Sequence, residues 1–293
     1  MQKNLKLTVD NDSAGSTVER YLERNGVTGK MMAALKKHPE NVLLNGSPSK
    51  LNSILCNADV LEIMITEKKD DTPISPWEKE LDIVYEDNEI IVINKPAGMP
   101  VHPSRRHPDT TLANALVYRY GNGISCHCIT RLDKDTSGLV LVAKNRYSAA
   151  LLSESMKRHE IKKVYLAIVT GKIDKPGEVK APIFREGPSV KRTVNFEHGS
   201  NSITDYEPVK YYTKQNITLV KVVPLTGRTH QIRVHMAYIG HPLCGDELYN
   251  PYPCFLNRQA LHAYKLTFPH PLTKKPLILE ADLPQDMSEI LAD

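Results

Sequence analysis

The sequence predicts an α+β fold: a mixed, largely antiparallel central sheet flanked by helices and loops, preceded by a small α+β unit. Three observations predict it. Strand-length apolar runs recur between residues 81 and 281, joined in some places by hairpin-length turns and in others by helical segments. One of these runs, Leu139-Val140-Leu141-Val142-Ala143, carries no polar position and reads as a buried strand. A charged and then proline-bearing stretch, residues 68–76, has the composition of a linker. It divides a first unit, residues 1–67, from a second, residues 77–293.

In the first unit, residues 1–10 alternate apolar and polar and predict a strand. Ser16-Thr17-Val18-Glu19 offers a capping box for a helix that Gly26 stops, and residues 29–37 predict a second helix. Val42-Leu43-Leu44 runs into an Asn45-Gly46 turn, and residues 59–66 form another strand. In the second unit, strands at 81–85 and 90–93 bracket a polar turn. Residues 95–104 hold three prolines and are not regular structure. Thr110 or Thr111 caps a helix that ends at Gly121, and residues 146–158 form an amphipathic helix. Strands follow at 164–170, 204–212 and 217–223, with a loop-rich stretch at 173–200. Thr226-Gly227-Arg228-Thr229 turns into a helix over 230–239, and strands at 261–268 and 277–281 complete the sheet.

Bulk properties narrow the function classes. The 293 residues suit one large domain and one small one. No apolar run approaches the ~20 residues of a membrane span, and the N-terminus lacks the apolar core of a secretory signal. The five cysteines, an odd number, fit a reducing compartment, so the expected location is the cytoplasm. Cys126-His127-Cys128 has no second pair at zinc-ligand spacing and reads as unpaired thiols near a core. The net charge of +4 says little about a polyanionic partner. The clusters Arg105-Arg106, Lys162-Lys163 and Lys191-Arg192 say more if they surround one site.

Three segments concentrate polar chemistry: Arg131-Leu132-Asp133, Lys163-Val164-Tyr165, and the run from Gly227 through Arg228, His230 and Arg233 to His235. A carboxylate beside an arginine is held ionised, and a fixed carboxylate serves as nucleophile or base. A tyrosine ring can stack on an extruded base, and basic loops hold phosphates. His230 and His235 are five apart and do not share a helix face for a metal.

In order along residues 80–283, these segments resemble those of the RluA-type RNA pseudouridine synthases. The matching stretches are Ile93-Asn94-Lys95-Pro96-Ala97-Gly98, Arg131-Leu132-Asp133-Lys134-Asp135-Thr136-Ser137-Gly138-Leu139 and Lys163-Val164-Tyr165. They continue with Thr226-Gly227-Arg228-Thr229-His230-Gln231-Ile232-Arg233-Val234-His235, Gly240-His241-Pro242-Leu243-Cys244-Gly245-Asp246 and Ala260-Leu261-His262-Ala263. The resemblance implies a pseudouridine-synthase fold and isomerisation of uridine within RNA, with no metal or organic cofactor. It implies that Asp133 is the catalytic aspartate, attacking the ribose or removing its C2′ proton. Arg131 would enter the RNA stack, Tyr165 pack on the target base, Arg233 pair with the carboxylate, and Leu261 line the base pocket. Lys191 and Arg192 lie where such enzymes carry an RNA-clamping loop. Lys95, Arg105, Arg106, Arg228 and His230 complete the expected RNA contacts. One position departs from the family pattern: Thr130 stands where a histidine usually precedes Arg-Leu-Asp.

Residues 1–67 resemble a divergent S4-like RNA-binding domain, through Val42-Leu43-Leu44-Asn45-Gly46 and Asn57-Ala58-Asp59. That resemblance points to structured RNA, ribosomal RNA foremost, with transfer RNA as the other candidate. Two competing readings stand beside it. Asp133-Lys134-Asp135-Thr136 matches the motif of haloacid-dehalogenase-type phosphatases. The chain could also be a catalytically inactive RNA-binding assembly factor.

Overall fold

The structure, a computed structural model, describes residues 2–66, 74–121, 126–187, 189–252, 254 and 256–292. Residue 67 and much of the expected linker, residues 68–73, lie outside them. Residues 2–66 build a four-stranded antiparallel sheet from β1 (Gln2–Thr8), β2 (Val42–Leu44), β3 (Ser47–Pro48) and β4 (Val60–Thr66), in the order β1-β4-β2-β3. Two helices join β1 to β2: α1 (Val18–Arg24) and α2 (Gly29–Lys37). The cap of α1 is Thr17, whose hydroxyl accepts from the Arg20 N–H; the expected box from Ser16 to Glu19 gives way to this single cap one residue later. Asn45, at φ 51°, donates to Asp59 and accepts from the Val60 N–H, closing the β2–β3 turn onto β4.

A ten-stranded sheet organises the rest. Its main path runs β10 (Gly177–Lys180), β13 (Ile203–Tyr212), β14 (Ile217–Pro224), β9 (Lys162–Thr170), β15 (Leu261–Pro269), β8 (Ser137–Ala143), β6 (Ile90–Lys95), β5 (Ile83–Glu86). β16 (Pro276–Glu280) pairs with β15, and β7 (His127–Cys128) with β8. Among the described residues every pairing is antiparallel except one: β8 and β15 run parallel at His262↔Ser137 and Ala263↔Gly138. β8 is buried along its whole length because both faces are covered. α3 (Leu112–Tyr120) packs Leu112 and Leu116 on Val140 and Val142. On the other face, α4 (Arg146–Lys157) packs Leu152 on Leu139 and Leu141. α5 (Gln231–Tyr238) lays Ile232 and Met236 on Tyr165, Ala167, Val220 and Val222.

The same α4 holds the first sheet in place. Tyr147 belongs to the core of residues 5–65, its hydroxyl donates to the Asn25 carbonyl, and Leu151 fills the space left open by Gly26. Lys3 and Glu89 form an ion pair across the same junction. The stretch expected to be loop-rich contains β10, β11 (Ile183–Arg185) and β12 (Arg192–Val194), the last two forming a separate hairpin. A short α6 (Gln285–Ile290), which the sequence reading lacks, seals the end of the chain through Met287.

Candidate active site

Asp133 stands on the loop between β7 and β8, one turn before the parallel junction. The loop is pinned at nearly every residue. The Thr130 hydroxyl accepts from the Leu141 N–H at 2.9 Å. Arg258 donates to the Asp135 carbonyl at 3.2 Å, and Gln259 to the Thr136 hydroxyl at 3.1 Å. Ser137 shares a 2.9 Å hydrogen bond with His262. Lys95, fully buried, donates to the carbonyls of Pro96, Met99 and Lys134 at 2.8, 2.9 and 3.0 Å. Burial pushes its pKa down to about 7, against the pull of Asp135 and Asp133. Three carbonyls match the three N–H bonds of an ammonium, so the geometry favours the charged form despite that burial. Sequence reading placed Lys95 among the RNA contacts. The structure corrects this: its ammonium is spent inside the protein, where no phosphate reaches it.

Opposite Asp133 sits α5. His230, at φ 57°, turns the chain into the helix, and Gln231 locks that turn. The Gln231 amide oxygen accepts from the Thr226 hydroxyl and the Arg228 N–H, and its nitrogen donates to the Ile203 carbonyl and the Thr204 hydroxyl. Arg233, one turn on, is buried. Its Nε and Nη2 donate to the two oxygens of Asp246 at 2.7 Å each, and its Nη1 donates to Asp133 Oδ2 at 3.1 Å. Burial opposes that positive charge, but Asp246 and then Asp133 outweigh it and raise the pKa. His230 Nε2 lies 3.8 Å from the same Oδ2. Burial lowers the His230 pKa, so the ring is neutral near pH 7. The Tyr249 hydroxyl accepts from the Arg192 N–H at 2.8 Å and lies 3.0 Å from His230 Nδ1. With that hydroxyl as the donor to Nδ1, the ring hydrogen is on Nε2, facing the carboxylate. The Arg233 guanidinium sits 5.2 Å over the Tyr249 ring.

These groups line a cavity of about 570 Å³ whose walls also include Arg131, Lys163, Tyr165 and Leu261. Among the described residues, Asp133 Oδ1 has no hydrogen-bond partner, so one carboxylate oxygen is fixed and the other is open to the cavity. Tyr165 is buried, and burial followed by the Asp133 charge raises its hydroxyl pKa well above the usual range. It therefore acts as a neutral ring and hydroxyl. Arg131, exposed and lining the cavity, makes no hydrogen bond or ion pair among the described residues.

Residues 89–238 match the model of the RNA pseudouridylate synthase family, half of the chain and the half that carries Asp133, Tyr165 and Arg233. The chain belongs to this family. The Bacillus subtilis (strain 168) protein named "Uncharacterized RNA pseudouridine synthase YjbO" is 38% identical over 94% of this chain and 98% of its own length. The ribosomal large subunit pseudouridine synthase D of Buchnera aphidicola subsp. Schizaphis graminum is 39% identical over 86% of this chain and 85% of its own. Among solved structures, human RNA pseudouridylate synthase domain containing 1 superposes with a TM-score of 0.57 at 26% identity, over 72% of this chain and 93% of its own.

As an RNA pseudouridine synthase, the protein has no use for the phosphatase reading of Asp133-Lys134-Asp135-Thr136, which is left without support. The structure gathers Asp133, Arg233, His230, Tyr165, Leu261, Arg131 and Arg228 around one cavity. Arg192 joins through its backbone and Tyr249, while its side chain bonds to the carbonyls of Ser189, Val190 and Lys191. Lys191 is exposed beside the same tyrosine. Arg105 and Arg106 lie on an exposed loop outside the cavity lining. Thr130, the departure from the family pattern, closes the loop onto β8 with its own hydroxyl. Asp246 and Tyr249 were not foreseen as site residues. Asp246 stood in a matching stretch, but nothing in the sequence says that it faces Arg233.

Proposed function

We propose that this RNA pseudouridine synthase modifies ribosomal RNA in the cytoplasm, with Asp133 as its reacting carboxylate. The observation that carries the proposal is the asymmetry of Asp133. Arg233 fixes Oδ2, while Oδ1 is open to a cavity large enough for a nucleotide. A uridine flipped out of its stack would place its base against Tyr165 and Leu261 and its ribose at Asp133. Breaking the N1–C1′ bond, turning the base and rejoining it through C5 needs a held carboxylate and a walled pocket. Arg131, free on the rim, would fill the gap left in the RNA. Arg228, Lys191, Arg192, Arg105 and Arg106 supply positive charge for the backbone around it. Residues 1–67 would form a separate RNA-contacting domain, joined through residues 68–76 to the catalytic domain at 77–293.

Ribosomal RNA as the substrate is supported by the large-subunit synthases among the relatives. The test uses transcripts of large-subunit ribosomal RNA and of transfer RNA labelled with tritium at uridine C5, since each pseudouridine formed releases that hydrogen to water. Release from the ribosomal transcript should exceed release from transfer RNA. Equal release, or preference for transfer RNA, would overturn the ribosomal assignment. Release from neither would overturn the catalytic one.

A further inference from the structure

One cation in the cavity wall is not used by the chemistry above. Lys163 lies on β9 two residues before Tyr165, so the two side chains share a strand face, about 6.6 Å apart along the chain. Both line the cavity. Among the described residues, no carboxylate pairs with the Lys163 ammonium and no hydrogen bond holds it. Its surroundings withdraw it from water, and that burial alone lowers its pKa. The same cavity is lined by Met156, His159 and Ile161. Gly227 lines it too, and an added Cβ there would meet only the Lys163 ammonium, at 3.9 Å. The ammonium therefore lies within contact reach of the 226–229 loop at a position that carries no side chain.

A lysine ammonium is a compact, strongly hydrated charge, and withdrawing it from water without a counter-ion costs stability. Lys95 meets that cost with three carbonyls; Lys163 has none. An anion from the ligand would supply the missing partner, and the anions of RNA are its phosphodiesters. Lys163 and Tyr165 line one cavity from the same strand face, so a base packed on Tyr165 has its backbone within reach of residue 163. We propose that Lys163, approached over Gly227, forms an anion subsite that takes the phosphodiester next to the target uridine. The proposal rests on the catalytic reading of Asp133 and Tyr165. It adds a contact that positions the flipped nucleotide by its backbone and not by its base.

The test compares full-length wild type, Lys163→Gln, Lys163→Arg and Gly227→Asp on one ribosomal transcript, across a salt series. Lys163→Gln should raise KM about tenfold with kcat within about threefold. It should also lower the slope of log affinity against log salt by roughly 0.7, the loss of one phosphate contact on a single strand. Lys163→Arg should restore both. Gly227→Asp places a carboxylate beside the ammonium in place of the phosphate, so it should weaken RNA binding in wild type and much less in the Lys163→Gln background. Lys163→Gln should melt no lower than wild type, since it removes a half-buried charge that has no counter-ion among the described residues. An unchanged salt slope, or strictly additive effects of the two substitutions, would overturn the subsite. A fall in kcat with KM unchanged would do the same and make Lys163 a group that acts on the base. Those outcomes leave the enzyme reading intact, because wild-type turnover is measured in the same assay.

Discussion

Arg233 is the residue on which the site turns, because it is shared by two carboxylates of unequal status. Asp246, fully out of solvent, takes two of its N–H bonds and fixes the guanidinium plane; Asp133 takes the third. An arginine suits this geometry and a lysine does not, since only a planar fork serves both partners at once. Removing Asp246 strands a buried guanidinium with one half-exposed partner. Asp246→Ala should therefore cost about 3 kcal/mol of stability, read as a lower urea midpoint at unchanged m, and should lower kcat as well. An unchanged midpoint would show that Asp246 is not the brace. The sequence pointed to residues that gather around the cavity but not to the brace. Arg131, Asp133, Tyr165 and Arg233 were legible because their neighbours form an ordered set of motifs. Lys95 sat in such a motif too, and its motif does not tell a buried lysine from an exposed one. Only the surrounding carbonyls of Pro96, Met99 and Lys134 do that.

At the level of elements, the parallel contact between β8 and β15 positions the Asp133 loop. It is made possible by Gly138, at φ 109°, where an added Cβ would lie 2.4 Å from the Ala263 carbonyl oxygen and 2.6 Å from its nitrogen. No side chain has room there, and the backbone angle is unfavourable to any residue but glycine. Gly138→Ala should destabilise the protein by more than about 2 kcal/mol and lower kcat, through separation of β8 from β15. Wild-type stability and turnover in that variant would remove the junction from the account. The long strands were readable because their apolar patterns are sustained: β8, β9, β14 and β15 lie within a residue or two of their expected positions. β10, β11 and β12, with four, three and three residues, are too short to show a period among the prolines and glycines of 173–200. The six-residue α6 escaped for the same reason.

Over the whole molecule, the titrating groups shift together. Burial lowers the pKa of His230, His235 and His262. Glu86 is held down to about 2: burial opposes the charge, but Tyr120, Lys144 and Arg119 more than offset it. Each of these groups binds fewer protons folded than unfolded as the pH falls. The histidine contribution is complete above about pH 6.5 and is lost as the pH drops through the lowered folded values; the Glu86 contribution is lost further down, between about 4.5 and 2. The melting temperature should accordingly fall steadily from pH 7.5 to pH 5, and a flat profile would contradict the burial of these rings. The first sheet melts with the rest in this picture, because Tyr147 and Leu151 of α4 are part of its core. That packing ties the first sheet to the same helix that covers one face of β8. The account as a whole depends on Asp133 acting in the chemistry and not in binding. The most direct measurement is tritium release from ribosomal RNA by Asp133→Ala, with RNA affinity measured on the same preparation. The account predicts that turnover falls by at least ~10³-fold while affinity stays within a few-fold; retained turnover, or an equal loss of both, would contradict it.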